Sequence, residues 1–262
     1  MLSKSQLKYY SSLKQKKYRK TKKAFLAEGD KMVKELLQNP GNIYRLKTLL
    51  FLPEFMETTN LSSSKHEFIE INEQELKRIS SLSAPNRAIL EIEIPDYYWN
   101  PDEFKNEFSF FLEDIQDPGN LGTIIRTADW FGIRNIFLSS DSVDLYNPKV
   151  IQATMGSFTR VRVHYVNPGE LFEETDRFLN YQTIATVLEG RNIYESELGK
   201  CGMIFFGNES KGLSKRISSH TKQKLSIPGH PVRCGAESLN LSIAAGIIAS
   251  ELNRRKLIRS ES

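Results

Sequence analysis

The strongest constraint on this chain is a rhythm that begins near residue 107. Six short apolar segments, FSFFLEDI, NIFLS, VRVHYV, TIATVL, MIFFG and KLSI, follow one another with helical stretches between most of them. A long helical segment then runs from about 238 to 256. Strands that are continuously apolar are buried on both faces, and strands separated by helices pair in parallel. The fold expected for residues 107–262 is therefore α/β, a parallel sheet with helices on both faces. Sheets of this kind take their ligands at the carboxyl ends of the strands. Three unusual sequences stand at those ends, at 117–122, 207–212 and 228–240.

The first 94 residues read as a smaller α/β unit. FLAEGDKMVKELLQ (25–38) has helical apolar spacing and stops at NPG, a strong breaker. IYRLKTLLFL, EFIEI and RAILEIEI read as strands, with NEQELKRISSL as a helix before the last. PDYYWNPDEFKN (95–106), with two prolines and several charges, suits a linker between units 1–94 and 107–262.

Charge is distributed unevenly. Nine Lys and Arg and no Asp or Glu fall in residues 1–23, so the net charge of +4 leaves −5 for the remainder. A basic N-terminal arm on a mildly acidic body points to a polyanion, nucleic acid first, with Lys16, Lys17, Arg19, Lys20, Lys22 and Lys23 as RNA contacts. A solvated lysine-rich helix is the plainer alternative. Tyr9, Tyr10 and Tyr18 interleave with the lysines, and aromatic rings can stack on bases.

No apolar run reaches the length of a membrane span, and MLSKSQLKYY lacks the apolar centre of a secretory signal, so a cytoplasmic protein is expected. Cys201 and Cys234 form no CxxC pair and are expected to be reduced, although one disulfide between them would be conceivable. His66, His164, His220 and His230 have no metal-ligand spacing, so no metal is expected.

In DPGNLGTIIRTADWFG (117–132), Asn120 reads as a helix N-cap after a Pro118–Gly119 turn. Leu121, Ile124, Ile125, Ala128 and Phe131 then share one helical face. Arg126 lies about 160° from that face, on the side of Gly122 and Asp129, so packing does not explain it. Gly122 costs the helix about 1 kcal/mol and marks a close approach. GNESKGLS (207–214) nearly spells a phosphate loop, but Leu213 occupies the lysine position, which argues against nucleotide triphosphate hydrolysis. The plainer reading is a strand-to-helix turn capped by Ser214. IPGHPVRCGAESLNLSIAAGIIASEL (227–252) is a long loop feeding a helix that Ser238 or Asn240 could cap, thinned by Ala244, Ala245 and Gly246. Neither G-x-G-x-x-G nor G-x-S-x-G occurs in these places, against a nicotinamide site or a hydrolase elbow.

Taken together and in this order, the three segments resemble the signature motifs of the SpoU (TrmH-type) RNA ribose 2′-O-methyltransferases of the SPOUT superfamily, over about residues 107–255. DLYNPKVIQATMGS has the same family look. FLAEGDKMVKELL and SAPNRAILEI are more loosely similar to the substrate-binding domain that often precedes the catalytic one, a small α/β/α domain resembling a kink-turn-binding ribosomal protein. The resemblance implies a C-terminal trefoil knot, S-adenosylmethionine bound in it, an RNA substrate with ribosomal RNA ahead of transfer RNA, and a homodimer. It assigns catalytic roles to Asn120, Arg126, Glu209, Ser238 and Asn240. It assigns cofactor contacts to backbone around Gly207, Ile227 and Leu239. One departure is the loop 229–237, about three residues longer than usual, which unsettles the roles of His230, Arg233 and Cys234. Competing readings are a related enzyme that methylates a base, a non-catalytic RNA-binding protein, and an α/β enzyme with a small substrate.

Overall fold

A computed structural model describes residues 1–59, 66–230 and 235–260. Its contacts divide the chain into two compact units, one of residues 1–97 with 144–159, the other of residues 98–143 with 160–262.

The first unit opens with two helices, α1 (Lys4–Ser12) and α2 (Lys16–Lys22). The strand β1 (Ala24–Glu28) and helix α3 (Asp30–Gln38) follow, then β2 (Leu46–Phe51) and α4 (Pro53–Glu57). It continues through β3 (Glu67–Glu70), α5 (Glu73–Ile79) and β4 (Ala88–Glu93). The four strands are ordered β1-β4-β2-β3, with β2 and β3 parallel and the other pairs antiparallel. The helix expected over 25–38 is thus a strand followed by a helix. All five residues of β1 are buried, and Gly29 sits at φ +113, a backbone turn that breaks any helix running through it.

The basic segment is not an arm but two folded helices. A capping box between Ser3 and Gln6 starts α1. Tyr10 and Leu13 then enter a core with Leu26, Leu50, Leu76 and Ile79. The Tyr9 hydroxyl donates to Glu91 at 2.6 Å, and burial together with that carboxylate pushes its pKa well up. Tyr9 and Tyr10 are therefore structural rather than base-stacking rings.

The second unit begins with Trp99 and the buried Phe104, which pack into its core from within the stretch expected as a linker. Next come β5 (Phe108–Leu112), α6 (Pro118–Trp130) and β6 (Asn135–Leu138). After Val143 the chain joins the first unit for residues 144–159, which include α7 (Pro148–Thr154). There α7 packs on β1, and Phe25 meets Tyr146 and Phe158 with ring centroids 4.7 and 5.7 Å away. Returning at Arg160, the chain builds β7 (Arg162–Tyr165), α8 (Pro168–Thr175), β8 (Gln182–Asn192) and β9 (Gly202–Phe206). It ends with α9 (Lys215–His220), β10 (Gln223–Ser226) and α10 (Leu241–Ser260).

All six segments expected as strands are present, in one wholly parallel sheet ordered β10-β8-β9-β5-β6-β7. One face buries Phe111, Phe137 and Phe205 with α8 and α9 residues. Phe110 and Phe206 pack 5.0 Å apart, and α6 lies against α10, where Thr127 faces Gly246. At the sheet edge β10 passes so near Gly190 that a Cβ there would stand 2.6 Å from the Leu225 carbonyl carbon. Arg255 ties α10 down by donating to the carbonyls of Ile193 at 2.6 Å and Ser196 at 2.5 Å.

Candidate functional site

The sheet order explains why the unusual loops meet. β5 and β9 are neighbours in register, Leu112 opposite Phe206, so the segments that follow them leave the same edge side by side. The helix after β5 does not start where expected. Asp117, not Asn120, is the N-cap of α6, its carboxylate accepting from the Asn120 N–H at 2.7 Å, and Pro118 takes the first helical position, where its missing N–H costs nothing. The Asp-Pro pair carries that signal in the sequence.

Relieved of capping, the Asn120 side chain works outward. Its amide nitrogen donates to the Glu209 carboxylate, and its oxygen accepts from the Asn240 amide at 3.0 Å. Asn240 is committed at its other end too, its oxygen accepting from the N–H groups of Ser242 at 2.9 Å and Ile243 at 3.3 Å, which caps α10. One hydrogen-bonded chain, Asn240–Asn120–Glu209, therefore joins all three loops.

The turn carrying Glu209 is held from beneath. The Asn208 side chain accepts from the N–H of Ser210 (2.9 Å) and Lys211 (3.1 Å) and donates to the Asp114 carbonyl (2.9 Å). Backbone bonds between Asn208 and Gly212 close it. A Cβ on Gly207 would lie 2.2 Å from the Gly212 carbonyl carbon, so only glycine fits there. Lys211 leans back toward Asp114 at 3.6 Å, and Ser214 caps α9 as the plainer reading expected. Asp114, Asp117 and Asn208 are supporting residues that motif spacing does not single out.

Arg126 is exposed on α6 and has no hydrogen-bond or ion-pair partner among the described residues. Gly122 is buried. Ser238 is exposed and likewise unpartnered, and the structure does not bring it onto the Asn240–Asn120–Glu209 chain. Arg233 and Cys234 lie outside the described residues, and Cys201 carries a free thiol.

Ile227 is half-buried and Leu239 is 48% exposed. Their backbone N–H and C=O groups take part in no hydrogen bond among the described residues. Apolar side chains with open backbone donors and acceptors are what a purine ring and its edge require. The residues present fit S-adenosylmethionine.

The basic residues divide. Arg19 is 3% exposed, donating to Asp144 at 2.6 and 3.2 Å and to the carbonyls of Leu13 and Lys14 at 3.0 and 2.7 Å. A guanidinium so fully used is an internal strut, which removes Arg19 from the RNA contacts. Lys23 pairs with Asp96. Lys16, Lys17, Lys20 and Lys22 are exposed along α2. Among the described residues no helix is long and apolar enough to cross a membrane, and no group of three or more His, Cys, Asp or Glu could hold a metal ion.

Comparison with known proteins gives a consistent picture. The SpoU rRNA Methylase family matches residues 107–250, and the MRM3-like substrate binding domain matches residues 4–89. An uncharacterised tRNA/rRNA methyltransferase of Synechocystis is 28% identical over 95% of this chain and 91% of its own. The 23S rRNA (guanosine(2553)-2'-O)-methyltransferase RlmP of Bacillus subtilis is 27% identical over 94% of this chain and 95% of its own. Among solved structures, a TrmH-family protein of Porphyromonas gingivalis superposes with a TM-score of 0.86 at 33% identity, covering 97% of this chain and 99% of that one. The AdoMet-bound rRNA methyltransferase of Sinorhizobium meliloti superposes with a TM-score of 0.82 at 28% identity, covering 97% and 96%.

Proposed function

The chain belongs to the SpoU rRNA methylase family, and from that premise we propose that it methylates a ribose 2′-hydroxyl of structured RNA, ribosomal RNA first. The observation that carries this reading is the Asn240–Asn120–Glu209 chain at the carboxyl ends of the strands, with Arg126 open on the same helix as Asn120. S-adenosylmethionine supplies the sulfonium methyl group. Backbone at Gly207, Ile227 and Leu239 would hold it.

What the protein adds is orientation and charge. Arg126 has five N–H donors and no acceptor, so it cannot take the hydroxyl proton. Its part is to stabilise negative charge growing on the 2′-oxygen and to grip the adjacent phosphate, as a guanidinium fork does well. The proton then passes to a phosphate oxygen or to water. Asn120, Glu209 and Asn240 keep the three loops in register, and Ser238, exposed beside Leu239, is a candidate for contact with RNA or cofactor. Arg126→Ala should leave folding and S-adenosylmethionine binding intact while lowering methyl transfer at least about a hundredfold, the scale of losing a donor to developing charge. Wild-type transfer of labelled methyl by that variant would refute the assignment.

Residues 1–94 act as the RNA-binding part, with Lys16, Lys17, Lys20 and Lys22 as phosphate contacts. The protein works in the cytoplasm. The exposed Trp130 of α6 and Ile243 of α10 support a homodimer in which a second copy covers these helices. Light scattering on the purified protein reads that directly.

A further inference from the structure

We infer that Arg160 is a positioning residue that keeps Arg126 available by occupying Asp129, an inference that rests on Arg126 being the group that meets the substrate. On an α-helix the neighbours of residue 126 are those three and four positions away. On α6 these are Gly122, Thr123, Asp129 and Trp130. Gly122 has no side chain, and Thr123 and Trp130 carry no charge. Asp129 alone could draw the Arg126 guanidinium down onto its own helix.

It does not, because both Asp129 oxygens are taken. Arg160 Nε donates to Oδ1 at 3.1 Å and to Oδ2 at 2.9 Å, and its terminal nitrogen reaches Oδ2 at 2.9 Å. This is the two-pronged arrangement in which arginine binds a carboxylate most firmly. The Asp129 side chain is 21% exposed, so water screens the pair only partly. Arg160 comes from the residue at which the chain re-enters the second unit, ahead of β7, far from the three signature segments in sequence. No motif links it to them. Its effect is electrostatic: an Asp129 carboxylate already neutralised neither captures Arg126 nor repels an approaching phosphate.

The test is a double-mutant rescue. Arg160→Ala frees the carboxylate, and kcat/KM should fall about fivefold, with a matching loss of affinity for substrate RNA and unchanged S-adenosylmethionine binding, the scale of one partly screened ion pair. Adding Asp129→Asn removes the trap, and both readouts should return to within about twofold of wild type. A scaffold defect would not recover this way, because the double variant lacks the same Arg160 contacts. Wild-type kinetics in Arg160→Ala, or a double variant no better than the single, overturns the inference. Arg126→Ala, assayed beside them, separates the two failures. If it is inactive while the rescue fails, only the role of Arg160 falls; if it is fully active, the reading of Arg126 falls and takes this inference with it.

Discussion

Two helices, one in each unit, treat arginine in opposite ways. On α2 of the first unit, Arg19 is folded under its own helix and saturated by Asp144 and two carbonyls. On α6 of the second, Arg126 has solvent around it and no partner among the described residues. Both sit in segments whose sequence points to RNA, and residue type cannot tell them apart. What separates them is supply. Carbonyls at the end of α1 and a carboxylate from a distant segment converge on Arg19, whereas the acid one helical turn from Arg126 on α6 is held by Arg160.

The sharpest way to break this comparison is Arg19→Ala. If the side chain is a strut, the variant leaves Asp144 facing an emptied, buried site and loses about 3 kcal/mol of stability, read as a lower midpoint in urea. Unaltered stability with weakened RNA binding would return Arg19 to the surface contacts.

A second test sharpens the contrast through acid. His164 is 4% exposed in the second unit, its Nε2 3.2 Å from Asn135 Oδ1 and its ring stacked on Phe137. Burial pushes its pKa from 6.5 down to about 4, against the opposing pull of Glu103. The unfolded chain takes up a proton near pH 6.5 and the folded one does not until about pH 4. Stability is thus fully present above pH 6.5 and falls by about 3 kcal/mol as pH drops through that window. Both tryptophans, Trp99 and Trp130, belong to this unit, so their fluorescence follows its unfolding. His164→Gln should flatten the dependence, and a wild-type curve already flat from pH 7 to 5 would contradict a buried neutral ring.

The smallest expected effect belongs to the lysines. Replacing Lys16, Lys17, Lys20 and Lys22 by alanine should leave the urea midpoint where it is and make the salt dependence of RNA binding shallower, by about 0.7–0.9 in log–log slope for each phosphate no longer neutralised. An unchanged slope would make α2 an ordinary solvated helix.

Legibility follows the range of the interactions. The second sheet can be read because its central strands, FSFFL and GMIFF, are short apolar runs flanked by helical segments, and its loops draw notice through residues that local packing leaves unexplained. Ala24–Glu28 misleads because FLAE followed by DKMV satisfies a helical period, and nothing local reveals that Gly29 adopts φ +113. Asn120 passes for a cap because good caps look alike; that Asp117 fills the role follows from Pro118, a short-range signal that is present in the sequence. The bonds from Asn120 to Glu209 and Asn240 have no local signal at all, since they depend on β9 lying next to β5. Tyr9 and Tyr10 look like stacking platforms only while their strand partners are unknown.

The excursion of residues 144–159 has a consequence for biosynthesis. Proteins emerge from the ribosome in chain order, and leading domains usually finish folding before trailing ones appear. Here the leading domain cannot, because the carboxylate that neutralises Arg19 and two of the rings that meet Phe25 are encoded about fifty to sixty-five residues past its last strand. Until that stretch is translated, the nascent protein holds an unneutralised guanidinium and a bared phenylalanine, so its maturation is tied to the appearance of the half that performs the chemistry.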